Sequence, residues 1–239
     1  LGKFNLIHDS PLNDLSNRPL VARKIIPTTL SEAGMGFYGT LYPTADALIG
    51  YEIYVVNGFN GKLLKADTTA GIINTSIRSG RGSQKADNND SKSIVGRLNY
   101  SPFLGLDIGG SFHRGAYDDA GNNQLMIVAA DMTYTNGPID LLGEYATASI
   151  DGSDDDSQSG LYAQVGYHFL PGAFKAFPNS IFTAVLRYDR IDLKSSDETR
   201  YTVGVNFRPE EDTVLKLDYE KYDVDEKSDG LIFSVASYF

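Results

Sequence analysis

Strict alternation of apolar and polar residues, repeated along most of the chain, constrains its fold more than any other feature. Between Arg200 and Arg208, Tyr201, Val203, Val205 and Phe207 fall on one face, and Arg200, Thr202, Gly204, Asn206 and Arg208 on the other. The following segment sets Leu215, Leu217 and Tyr219 opposite Lys216, Asp218 and Glu220. Successive side chains of a strand point to opposite faces, so each segment reads as a strand with one apolar and one polar side. Eleven such segments are expected, over 32–42, 46–57, 93–101, 104–116, 124–136, 138–149, 159–170, 180–193, 199–208, 213–224 and 230–239. Most are longer than the five or six residues of an ordinary strand, and they suit the roughly 9–11 residues that cross a bilayer at a tilt. No helical periodicity competes, apart from short turns expected inside two long loops.

The connections alternate as well. Short turns such as Asn136-Gly137-Pro138 and Ser101-Pro102-Phe103 fall on one side. Longer polar loops fall on the other, and two of them, 5–31 and 58–92, are very long. Residues 171–179 are the one sizeable connection on the short side. This asymmetry is the layout of an outer-membrane β-barrel. The terminal strand ends on Phe239, as outer-membrane barrels do. Aromatics are expected to form two interfacial belts. Tyr100, Tyr134, Tyr167, Phe169, Phe207 and Phe239 would lie on the short-turn side, and Phe112, Tyr145, Tyr188 and Tyr219 on the other.

Composition excludes the main competitors. The 239 residues contain no Cys and no Trp, and the formal net charge is −10. A disulfide framework and a Cys-based zinc site are therefore out. No apolar run approaches the 18 or so residues of a membrane helix, and the acidic balance argues against a nucleic-acid partner. No basic stretch followed by an apolar run opens the chain. Leu1–Asn5 is instead expected to be the outer end of a strand. Several strands would then precede it, making residues 1–239 about the C-terminal two-thirds of one barrel domain.

Some of these segments resemble the phosphate-selective porin (porin O and P) family. They include Asn5-Leu6-Ile7-His8-Asp9-Ser10-Pro11-Leu12, Arg18-Pro19-Leu20-Val21-Ala22-Arg23, Tyr51-Glu52-Ile53-Tyr54-Val55-Val56-Asn57-Gly58 and Val95-Gly96-Arg97-Leu98-Asn99-Tyr100-Ser101-Pro102. The resemblance covers about the first 115 residues by motif and the remainder by strand pattern. It implies a sixteen-stranded, usually trimeric barrel in the bacterial outer membrane, embedded among lipid and lipopolysaccharide. Small anions such as phosphate would diffuse passively through it, past a long loop that lines a constriction with arginines.

Charge is distributed in keeping with that expectation. Residues 1–92 carry ten Lys/Arg against eight Asp/Glu, whereas residues 93–239 carry eleven against 23. Basic groups at a narrow point concentrate anions, because low-dielectric walls focus the field. The candidate constriction is Arg78, Arg81 and Lys85, helped by Arg18, Arg23 and Lys24. Alternation sends Arg97, Arg187, Arg200 and Lys216 to the inner wall, as a conducting track or as paired charges. No catalytic residue, metal site or cofactor is expected. His8, His113 and His168 lack ligand spacing, and no nucleophile-elbow motif occurs. The acidic run 151–156 reads as a solvated loop or a weak divalent site. The alternative function is a structural or interaction barrel in an outer-membrane assembly.

Overall fold

The computed structural model describes the chain except residues 29, 68–71, 83–88, 155, 195, 225–226 and 239. Eleven strands form one antiparallel sheet in which each pairs with its neighbour in sequence. They are β1 (Gly34–Leu41), β2 (Leu48–Val56), β5 (Ser93–Phe103), β6 (Leu106–Ala116), β7 (Gln124–Asn136), β8 (Ile139–Ile150), β9 (Ser157–Phe169), β10 (Ile181–Asp192), β11 (Asp197–Glu210), β12 (Thr213–Tyr222) and β13 (Gly230–Ser237). A separate hairpin, β3 (Leu64–Asp67) with β4 (Ile72–Thr75), lies within the second long loop. All eleven expected strands are present, with ends shifted by a few residues. The edges are β1 and β13, and they do not pair with each other. Among the described residues no helix is long and apolar enough to cross a membrane.

The two faces differ sharply. Tyr51, Ile53, Leu98, Ile108, Val128, Met132, Val165, Leu186, Val203, Leu217 and Phe233 point to the outer face and are exposed. Arg97, Asp131, Glu144, Arg187, Asp189, Arg200, Lys216, Asp218 and Glu220 point to the inner face and are buried. A water-soluble sandwich has the reverse arrangement, apolar within and polar without. A continuous exposed apolar face on this scale is a contact surface for something other than water.

The inner face is covered by the two long segments. Residues 1–33 carry short 3-10 turns at Phe4–Leu6 and Ser10–Leu12 and one short helix, α1 (Leu20–Lys24). Leu1–Asn5 was expected to end a strand, and it does not. Phe4 is buried beside Tyr162, and the amides of Gly2 and Phe4 donate to Ser111 Oγ (3.0 Å) and Glu144 Oε2 (3.2 Å) rather than to a neighbouring strand. Leu20, Val21, Ile25 and Ile26 meet Phe59, Leu63 and Ile77 of the second segment. Together they pack on Leu125, Ile127, Ala146, Ile150 and Ile191 of the wall.

At the long-loop end, buried Tyr117 donates its hydroxyl to the Asp151 carbonyl and ties two outer loops together. Burial, with Asp118 and Asp151 nearby, pushes this hydroxyl up to about 12, whereas an unfolded-chain tyrosine ionises near 10. The stability it contributes is intact below about pH 10 and lost as pH rises toward 12. An ultraviolet titration of the protein minus that of Tyr117→Phe should show one late-ionising tyrosine.

Candidate functional site: the lined inner wall

Wall carboxylates receive the amides of the first segment. Asp189 Oδ1 accepts from Leu20 N–H (2.9 Å), and Asp218 Oδ2 from Ser16 N–H (2.6 Å). The Leu20 amide opens α1, where a helix has no internal acceptor for it. Wall cations receive the segment's carbonyls. Lys216 Nζ donates to Ser10 O (2.7 Å), and Arg200 Nη2 to Arg18 O (2.8 Å). Lys3 pairs with Asp107 at 3.0 Å, and Arg208 pairs with Asp14 at 3.2 Å. Gly204 permits this close approach, because a Cβ there would lie 2.5 Å from both Leu15 Cδ2 and Asp218 Oδ1.

Arg97, Arg187 and Arg200 also pair with wall acids. Arg97 grips Asp131 bidentately (2.6 and 2.7 Å), reaching across β6 over Gly109, where any side chain would collide with both partners. Asp189 Oδ2 accepts from Arg187 Nε (2.9 Å) and from Arg200 Nη2 (3.1 Å), while Arg200 Nη1 lies 3.1 Å from Glu220. Arg97, Arg187 and Arg200 are thus buried and paired, whereas Lys216 is buried on the carbonyls of Ser10 and Leu15. A desolvated charge is tolerable only with such partners.

The loop cations behave differently. Thr28 brings two of them together, since its hydroxyl accepts from Arg18 Nη1 (2.8 Å) and its carbonyl from Arg81 Nη1 (2.5 Å). Desolvation and the neighbouring charges of Arg78 and Arg18 hold the Arg81 guanidinium below the usual arginine range. Arg78 is exposed, and among the described residues neither it nor Arg18 has a carboxylate partner. Arg23 and Lys24, in the last turn of α1, are respectively half-buried and exposed. The two segments thus place Arg18, Arg78 and Arg81 in one basic cluster. Lys85 lies outside the described residues.

His168 was legible as an inner-face residue, but its partners were not. Its ring bridges Asp140 Oδ2 (2.7 Å) and Thr183 Oγ1 (2.8 Å), linking β8, β9 and β10. Thr183 is fully buried, so its hydroxyl is closed to a substrate. His113 is buried edge-on to Phe59, with ring centroids 4.9 Å apart.

No family model matches the chain. A protein of Aquifex aeolicus (strain VF5) described as uncharacterized is 26% identical over 266 residues, a match covering 99% of this chain and 59% of that protein. A solved structure described as a porin is 12% identical with a TM-score of 0.49, covering 89% of this chain and 64% of the porin. The chain therefore spans about three-fifths of the length of each.

Proposed function

We propose that the protein is an outer-membrane channel through which small hydrophilic solutes diffuse, with a preference for anions such as phosphate. The observation that carries this reading is the inverted sheet, apolar and bare outside, charged and covered inside. A spanning barrel requires that arrangement, with its backbone paired within the sheet and its polar face turned to water. Open edges leave backbone groups unpaired in lipid, so we propose that further strands of the same protein close the sheet between β13 and β1. Outer-membrane lipid and lipopolysaccharide surround the barrel, and three copies assemble as a trimer, as the family resemblance implies.

Anion preference resides in the basic cluster of Arg18, Arg78 and Arg81, with Arg23 and Lys24 alongside. A guanidinium fork matches the oxygens of phosphate or carboxylate. In water a unit charge 4 Å away is worth about 1 kcal/mol, or about fivefold in local anion concentration. Replacing Arg78 and Arg81 by Gln should therefore reduce the anion-over-cation permeability ratio several-fold. The readout is the reversal potential of a planar bilayer in a salt gradient. An unchanged reversal potential would refute the cluster's role.

One observation favours a second reading. The segments on the inner wall form an apolar core of their own around Leu20, Phe59 and Ile77, as a structural or interaction barrel with a filled interior would. The same bilayer then stays silent.

A further inference from the structure

We propose that the outer wall of β8–β11 holds one acyl chain of a phosphate-bearing outer-leaflet lipid, with the phosphate on Arg190 and Lys221. The inference rests on the reading that the outer face lies in a membrane, and it names a specific lipid site there. The outer face is not uniformly covered by large side chains. Gly143 and Ala163 are paired across β8 and β9 and together floor an apolar depression of about 570 Å³. Leu186 and Val203 form its lower rim, while Tyr188 and Tyr201, with ring centroids 5.3 Å apart, stand at its end. Small residues at the same height on two adjacent strands thus leave a trough where the neighbouring rows carry Leu, Val and Tyr.

The trough leads to charge. Its floor row runs Gly143–Ala163–Tyr188–Tyr201–Lys221 through successive strand registers, so Lys221 lies on the same line. Arg190 lies one register row above, opposite Leu161 and Thr199. Both cations are exposed and point outward at the long-loop end. Asp197 is the only carboxylate paired with Arg190 among the described residues, at 4.0 Å, and both partners are more than half exposed. Lys221 has no ion pair among the described residues.

Acids share this rim: exposed Asp223 donates its amide to the Thr199 carbonyl (3.0 Å) and so extends the row of Arg190. Asp192 and Asp197 oppose each other one row farther from the trough, and Asp229 is engaged by the Tyr219 hydroxyl and the Tyr222 amide. Lys221, in the trough's own row, is the charged group nearest to it, and Arg190 follows one row above. Apolar trough, tyrosines and cations follow one another in the order of an acyl chain, its interfacial region and its phosphate.

The test is native mass spectrometry of the protein from mixed micelles containing lipopolysaccharide, its enzymatically dephosphorylated form, or a zwitterionic phospholipid. The wild-type protein should retain the phosphorylated lipid at least tenfold better than the other two, and added inorganic phosphate should not displace it. The Arg190→Ala/Lys221→Ala double variant should lose that preference. Ala163→Leu should fill the trough and lose retention as well, with single-channel conductance unchanged. Equal retention of the three lipids, displacement by inorganic phosphate, or full retention by Ala163→Leu would overturn the proposal. So would loss of self-association, rather than of lipid, in Ala163→Leu. A protein that inserts into vesicles but shows no lipid preference refutes only this site, whereas one that fails to insert refutes the membrane reading beneath it.

Discussion

Replacing Asp189 by Leu is expected to destabilise the protein by about 3–5 kcal/mol and to loosen the segment that lines the wall. That is the usual cost of removing one partner from a buried ion pair, and Asp189 serves several groups at once. One oxygen accepts the Leu20 amide at the start of α1, and the other accepts from both Arg187 and Arg200. All three charged side chains are buried. Without Asp189, Arg200 keeps Glu220, but Arg187 loses its only ion pair among the described residues. Asp192→Leu, on the same strand but exposed, loses only the turn hydrogen bond from Lys194 N–H and should cost no more than about 1 kcal/mol. Urea unfolding in detergent micelles compares the two. A loss below about 1 kcal/mol for Asp189→Leu would show that the wall network does not anchor the segment.

The second large effect lies on the other face. Val203→Arg should raise the free energy of folding into vesicles by about 2–4 kcal/mol, as expected for a cation on the lipid face near mid-bilayer. Val203 is exposed at mid-strand on β11, between Leu186 and Tyr219 on the adjacent strands. The same change at Thr199, beside Arg190 at the long-loop end, should cost only about 0–1 kcal/mol, because the penalty falls towards the interface. Equal small costs at the two sites would mean that this face meets water.

Much of the fold was legible because period-two alternation is a direct consequence of strand geometry. The residues Tyr201, Val203 and Val205 had to share a face, and so did Arg200 and Thr202, whatever the rest of the chain did. That logic sent Arg97, Arg187, Arg200 and Lys216 to the inner face, where they are buried, but it did not single out Asp189. It could not pair them across strands. Arg97 meets Asp131 only because β6 places Gly109 between them, and Arg200 meets Glu220 only in the register that β11 and β12 adopt. Arg187 and Asp189, two residues apart on one face, were the exception a sequence can suggest.

The path of the first segment was less visible. Many of its anchors are backbone amides and carbonyls, which every sequence possesses. One signal was available: Leu20, Val21, Ile25 and Ile26 in one loop, and Phe59, Leu63 and Ile77 in the other, are too apolar for loops that face only water. Those residues meet each other, and this brings Arg18 beside Arg81 at Thr28.

The central claim is that the bare apolar face of the sheet lies in lipid. The chain has no native cysteine, so single cysteines at Tyr201, Val203 and Val205 can report on that face without background. In vesicles, a fluorophore on each should be quenched by bromines carried on lipid tails, and each thiol should resist a charged, water-soluble maleimide. Rapid reaction with the maleimide and no quenching at all three positions would contradict the account.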